Sequence, residues 1–322
     1  MARLLHIIAN CTDRKRAPVP ADLRLRSLPP GNVATRTQHW SQRLHNRKSQ
    51  TFEAVDLYAG DHWAIVRALP EIARAAGFDP LLWIASAGYG LVPTTARLQP
   101  YSATFAPGHP DSVCTGGDNR NRTSDLRSWW HELAKFPGPA SNAPRSIKDL
   151  TAQSPAASVL VVASPDYVSA MTDDLVAALG HLNDRERLAI ISAPTARTSE
   201  PLHPHVVPSV ARLQPELGGS RTSLHARLAR RILEDTLDGT LRISELRVRW
   251  EDKIRKSPEL TKYCRQSMSD AQIREFLCEE RAKNPQGSHT QLLRKLRDSG
   301  RACEQARFRA LFHNLTEDDY AS

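Results

Sequence analysis

Four short apolar runs, each closing on small polar residues, constrain what this chain can fold into. Residues 4–9 end at Asn10-Cys11-Thr12-Asp13, and residues 81–85 end at Ser86-Ala87-Gly88. Residues 158–163 end at Ser164-Pro165, and residues 188–191 end at Ser192-Ala193-Pro194. Runs of this length and composition read as buried strands. Between them lie segments of helical period, residues 62–77 with Trp63, Val66, Leu69, Ile72 and Ala73 on one stripe, and residues 167–179 with Val168, Met171, Leu175, Val176 and Leu179. Strands alternating with helices predict a Rossmann-like α/β fold around a mainly parallel sheet.

A chain of 322 residues is long for one core, so a second domain is expected. Hydrophobic residues at 40% and charged residues at 25% exclude collagenous and wholly disordered chains. No apolar run reaches the roughly 18 residues of a bilayer span, and the opening run is too short for a secretory core, so a cytoplasmic protein without a membrane partner is expected. The five cysteines (Cys11, Cys114, Cys264, Cys278, Cys303) include no C-x-x-C pair, which signals neither a disulfide framework nor a zinc knuckle. His203-Pro204-His205 and the scattered His39, His45 and His109 lack ligand spacing, so no metal is expected. The chain has no Walker A loop, G-x-G-x-x-G, H-E-x-x-H or G-x-S-x-G motif, and no cofactor is expected.

Two polar stretches, residues 14–50 and 106–157, read as long loops or insertions, the second carrying a short helix around Trp129-Trp130 that packs back on the sheet. The strand signal stops after residue 218, which places a domain boundary between an α/β domain of 1–218 and a helical domain of 223–322. Helices are expected at 223–237, 242–254, 269–283, 288–298 and 302–315. Ser269 and Gln272 form a capping box, and Gly300 is a C-terminal breaker. From Arg221 onward there are 21 Lys or Arg against 16 Asp or Glu, over half of the chain's +9 excess. Residues 288–312 read as helix, glycine turn, helix, with Leu292, Leu293, Leu296, Phe308, Leu311 and Phe312 as shared core. In a helix-turn-helix, Gln and Arg of the second helix read base edges. Arg294, Lys295, Gln305, Arg307 and Arg309 are the DNA-binding candidates, the plain alternative being a helical bundle with a solvated basic face.

Ligands of a parallel α/β sheet sit beyond the carboxyl ends of its strands. That edge gathers Arg14 and Lys15 for an anion, the Gly88-Tyr89-Gly90 turn for close backbone approach, Ser164, and Tyr89 or Tyr167 to stack on a base. Ordinary turn residues at strand ends are the alternative. Cys11 is a candidate nucleophile, with no His or Asp partner assignable, and a small buried cysteine is the competing reading. Trp63, Trp129 and Trp130 are more simply core than base-stacking residues.

The series Cys11-Thr12-Asp13-Arg14-Lys15, Asp56-Leu57-Tyr58-Ala59-Gly60, Ser86-Ala87-Gly88-Tyr89-Gly90-Leu91-Val92 and Gln99-Pro100-Tyr101-Ser102-Ala103-Thr104-Phe105 resembles a bacterial and phage group that is itself loosely similar to the YaaA peroxide-stress superfamily. The group's pattern is a strand ending in C-S-x-x-K, an L-Y segment leading a helix, a strand ending in S-A-x-x-G-L, and P-Y-x-x-T/S. The likeness covers roughly residues 4–110, with weaker support through Tyr167. It implies a Rossmann-like domain associated with DNA or modified nucleobases, as in relatives of 7-deazaguanine DNA-modification clusters. It also implies a pocket bordered by the 86–91 loop and Tyr101, with Cys11 and Lys15 opposite and Ser86 and Tyr101 orienting the substrate. The chain departs from the pattern by about 40 residues inserted between Lys15 and Leu57 and by the long 106–157 loop, which leaves the substrate open.

The expectation is therefore a DNA-associated protein of a mobile-element, defence or DNA-modification system. Its α/β domain acts on or binds a purine-type base or nucleotide, and its helical domain binds DNA. Cys11, Ser86 and Tyr101 are the catalytic candidates. The rival expectation is a non-enzymatic regulator or defence-complex subunit that senses a ligand or docks a protein partner.

Overall fold

The computed structural model describes residues 2–114, 119–195, 198–259 and 265–315. The Thr115-Gly116-Gly117-Asp118 stretch, Cys264 and the acidic Glu317-Asp318-Asp319 end lie outside the described residues. The chain forms two compact units, Met1–Pro258 and Glu259–Ser322.

The first unit is built on a six-stranded sheet. Its strands are β1 (Arg3–Asn10), β2 (Phe78–Ser86), β3 (Gly90–Pro93), β4 (Ser158–Val162), β5 (Leu188–Ser192) and β6 (Val206–Pro208), in the spatial order β3-β2-β1-β4-β5-β6. All neighbours are parallel except β3, which folds back on β2 as an antiparallel hairpin. Every residue of β4 and β5 is buried, as is residue 5–10 of β1. A sheet covered on both faces has no solvent side to alternate with, which is why these strands read as continuous apolar runs. The four expected strands are present; the two short edge strands β3 and β6, bounded by Gly and Pro, carry no run long enough to announce themselves.

Register aligns the strand ends. Asn10 pairs with Ala85, Ala9 with Val162, and Val162 with Ile191, so Cys11, Ser86, Ser164 and Ser192 emerge along one carboxyl edge. Helix α1 (Val33–Asn46) lies within the first insertion, followed by α2 (Asp61–Ala75). Helices α3 (Asn119–Lys135) and α4 (Ile147–Gln153) lie within the second, and α5 (Pro165–Ala170) and α6 (Thr172–Leu179) follow β4. In their described residues both insertions are thus folded parts of the unit rather than long loops. Trp40 of α1 and Trp129 of α3 are fully buried, because each indole N–H reaches a carbonyl of the turn after β2: Trp40 Nε1 donates to Gly88 O at 2.8 Å and Trp129 Nε1 to Ala87 O at 2.8 Å. Trp63 is core as well.

The boundary expected at residue 218 is corrected. Helices α7 (Leu224–Glu234) and α8 (Ile243–Lys256) belong to the first unit, where Leu228, Ala229, Ile232, Leu233 and Trp250 join the main core. The amphipathic stripe of each is apolar because it covers the sheet and its flanking helices, α7 packing on α2 and β5 and α8 on β6.

The second unit holds α9 (Asp270–Lys283), α10 (His289–Asp298) and α11 (Gln305–His313), with a two-residue parallel pairing of Gln266–Ser267 and Arg301–Ala302. Its core contains Ile273, Phe276 and Leu277 together with Leu292, Leu293, Leu296, Phe308, Leu311 and Phe312, as the pattern anticipates. Capping boxes open two helices, Ser269 with Gln272 and Ser288 with Gln291. Gly300, at φ +80°, ends α10 in the left-handed region.

Candidate functional site

The carboxyl edge brings Cys11, Ser86, Tyr101 and Tyr167 together with a residue that sequence reasoning assigned no role, Tyr58. Cys11 leaves β1 with its amide donating to Ala85 O at 2.9 Å. Its sulfur lies 3.1 Å from the Tyr167 hydroxyl and accepts from the Tyr101 hydroxyl at 3.5 Å. The Tyr101 oxygen is 2.6 Å from Ser86 Oγ and 3.0 Å from the Tyr58 hydroxyl. Ser86 Oγ in turn accepts the amides of Gly88 at 3.2 Å and Tyr89 at 2.9 Å.

These bonds have a direction. Two amide donors fill the acceptor positions of Ser86 Oγ, so its one proton points to Tyr101. With that proton arriving and its own hydrogen on Cys11, Tyr101 accepts from Tyr58 as well. The relay starts on backbone N–H groups and brings the Tyr101 hydrogen to the sulfur, while the contact between Cys11 and Tyr167 can run in either direction. Burial pushes the Tyr58, Tyr101 and Tyr167 phenols well above the ordinary phenol range, and the neighbouring Cys11 adds to the shift, so all three remain protonated donors at neutral pH.

Lys15 supplies the charge. Its ammonium donates to Thr12 O at 2.8 Å and Asp13 O at 3.1 Å and lies 4.5 Å from the Tyr101 ring centre and 5.4 Å from that of Tyr58. Burial lowers its pKa, while Cys11, Asp13 and Asp111 act to raise it. Antiparallel pairing of Lys15 with Tyr58 fixes this placement, with Arg16 N donating to Leu57 O and Ala59 N to Arg14 O, both at 2.9 Å. Arg14 itself points to solvent, and its side chain has no hydrogen-bond partner among the described residues.

The glycine turn does a different job from the one expected. A Cβ on Gly88 would stand 2.4 Å from the Tyr101 ring, so the absent side chain makes room for Tyr101 rather than for a ligand. The carbonyls of Ala87, Gly88 and Tyr89 are taken by Trp129, Trp40 and Arg145. Gly90, at φ +73°, opens β3. Tyr89 and Tyr167 are buried rings, Tyr89 with its hydroxyl against Gln99 and Tyr167 stacked edge-on against Phe105 at 4.7 Å. Ser164 stands at the N-cap position of α5 without a capping side-chain bond, its amide donating to Asn10 Oδ1 at 3.1 Å.

The cluster is closed: Cys11 is 3% exposed, and Ser86, Tyr58 and Tyr101 are 0% exposed. Beside it, Asn10 anchors two further buried groups, its Oδ1 lying 3.2 Å from His225 Nε2 and its carbonyl 3.2 Å from His62 Nε2. Sequence spacing gives no hint of Asn10, His62 and His225 as neighbours. The signal for Tyr58 was its place in the L-Y segment.

In the second unit Arg294, Lys295, Gln305, Arg307 and Arg309 are all exposed. Lys295 is paired with Glu280, and Arg307 holds Asp270 at 2.5 Å while donating to Met268 O at 3.1 Å, so these two tie helices together. The side chains of Arg294, Gln305 and Arg309 have no hydrogen-bond partner among the described residues. Residues 259–322 carry 11 Lys or Arg against 10 Asp or Glu, so nearly all the excess counted from Arg221 belongs to α7 and α8 of the first unit.

No family model matches this chain, and no curated protein matches it either.

Proposed function

We propose that this protein is a DNA-associated component of a mobile-element, defence or DNA-modification system, and that its α/β unit acts through Cys11 on a purine-type base or nucleotide. The observation that carries the reading is the relay reaching the Cys11 sulfur, with Tyr101 donating to it, the Tyr167 hydroxyl against it and the Lys15 ammonium close enough to feel its charge. Donors and a cation around a sulfur are what a thiolate nucleophile requires. In this reading Tyr101 and Ser86 hold or return a proton, and Lys15 with Arg14 draws the anionic part of the substrate to the edge. The purine-type substrate rests on the resemblance of residues 4–110 described above. DNA contact is assigned to Arg294, Gln305 and Arg309 of the second unit.

Two outcomes test these assignments. Lys15→Ala is expected to weaken binding of AMP or GMP at least tenfold while the protein stays folded by circular dichroism; unchanged affinity removes Lys15 from the site. For DNA, the intact chain is expected to lose affinity for duplex linearly in log–log against salt, with a slope reduced by about 1 for each of Arg294→Ala and Arg309→Ala. An identical slope in both variants places DNA contact elsewhere, α7 and α8 being the more basic surface.

One observation favours a second reading. Because Cys11 is 3% exposed, the cluster as it stands admits no substrate. In the regulator reading the relay is a structural polar core whose opening reports a bound ligand, and Cys11→Ser retains function.

A further inference from the structure

The two polar insertions converge on the turn after β2 and line an open-sided cavity of about 380 Å³. One wall is the last turns of α1, the floor is Gly88 and Tyr89, and the other wall is the chain leaving α3. Its apolar surfaces are Leu44, Tyr89, Leu133 and Phe136, with Pro137 and Pro139 stiffening the rim. Ser41, Gln42 and Asn46 face it along α1, and among the described residues their side chains have no hydrogen-bond partner.

Among the described residues the charged side chain at the cavity base is Arg145, and the exposed His45 stands on the α1 wall. Arg145 donates from Nη2 to Tyr89 O at 2.6 Å and Leu133 O at 3.2 Å and from Nη1 to Leu91 O at 2.8 Å, and its Nε is buried without a partner, so its terminal N–H groups are turned to carbonyls and its Nε is shut off from the cavity. Apolar walls that include the aromatic Tyr89 and Phe136 suit an apolar ring, and a carboxamide presents a donor and an acceptor side by side, which matches the edge of a heterocycle. The volume falls in the range of small-molecule sites.

We infer that this cavity binds an uncharged planar heterocycle, nucleobase to nucleoside in size, with its ring against Tyr89 and Phe136 and its edge on Gln42 and Asn46. The inference rests on the proposed function for its place in a reaction, since Cys11 does not line this cavity. Tyr89 links cavity and relay: its amide donates to Ser86 Oγ at 2.9 Å, and its ring lies 5.1 Å from that of Tyr101. Occupancy of the cavity thereby bears on the residue that delivers a proton to Cys11. It also gives both insertions a purpose, since each contributes one wall.

The test is equilibrium dialysis and saturation-transfer NMR on the intact chain with adenosine and guanosine, using ribose 5-phosphate as a ringless, charged control. At least one nucleoside is expected to bind, and the sugar phosphate is expected to give no signal from this cavity. Gln42→Ala with Asn46→Ala, at exposed helix positions that leave the core untouched, is expected to weaken nucleoside binding at least tenfold, and Ser41→Trp to abolish it by filling the space. Failure of both nucleosides to bind, or binding unchanged in the Gln42/Asn46 double variant, overturns the inference. Cys11-dependent turnover without binding in this cavity refutes the inference and leaves the proposed function standing. Nucleoside binding without Cys11-dependent turnover does the reverse.

Discussion

Lowering the pH from 7 to 4 is expected to remove a large part of the stability of the first unit. Burial pushes His6 and His62 down to about 4 and His225 to about 3, from an ordinary value of 6.5. A histidine whose folded-state pKa is depressed is neutral in both states at high pH. Below 6.5 the unfolded chain takes up protons that the folded state refuses, so stability is lost as pH falls from 6.5 towards the folded value. Each of the three contributes up to about 3 kcal/mol of loss by pH 4, from ~1.36 kcal/mol per pH unit. His62 and His225 stack at 4.7 Å, and charge on either opposes charge on the other. Asp61 works the other way on His62, and its own carboxylate is held low by Ser223 and Arg227. Asp125 and Asp174, whose pKa values burial raises, offset part of the loss. Asp111, at about 2, releases its contribution only below this window. Urea unfolding across pH 4–7 measures the effect. His62→Gln with His225→Gln is expected to flatten the dependence, and a curve as steep as the parent's would assign the acid sensitivity to other groups.

Trp40→Ala is the substitution expected to cost most. The side chain is fully buried against Tyr101, with ring centres 6.4 Å apart, and its N–H satisfies Gly88 O. Deleting a buried tryptophan costs about 3–5 kcal/mol. Here the loss also frees the carbonyl that fixes Gly88 under the Tyr101 ring. Trp40→Phe, which keeps a ring but leaves Gly88 O unpaired, is expected to cost about 1–3 kcal/mol. Denaturant midpoints at constant slope separate the two. Equal midpoints for both variants would mean that α1 contributes packing alone and does not hold the turn.

How far the sequence reaches is clearest from where it fails. The inner strands are legible because burial on both faces leaves them uniformly apolar, and Ser269, Gln272 and Gly300 are legible because capping chemistry is local. Helix α1 is not, since its buried stripe includes Arg36 and Thr37 beside Trp40, with Arg36 donating to Val113 O at 2.6 Å. A stripe that buries a guanidinium looks polar in any periodicity. The domain boundary fails for a related reason: α7 and α8 have the same amphipathic period as α9 to α11, and only tertiary packing shows that their apolar faces cover the sheet. Cys11, Ser86, Tyr101 and Tyr167 come from four separate segments. Their gathering at one edge follows from the parallel topology, whereas the direction of the relay depends on which lone pairs the Gly88 and Tyr89 amides occupy.

In the proposed function Cys11 does the chemistry. The measurement that tests it most directly is mass-spectrometric detection of product from a panel of purine bases, nucleosides, nucleotides and duplex DNA, incubated with the parent protein and with Cys11→Ser. The account predicts a product with the parent and at least a hundredfold less with Cys11→Ser, at an unchanged melting temperature and unchanged nucleoside binding. Equal turnover by both proteins, or no product from either alongside full activity of Cys11→Ser in cells, would contradict it and leave the relay as a polar core that senses rather than reacts.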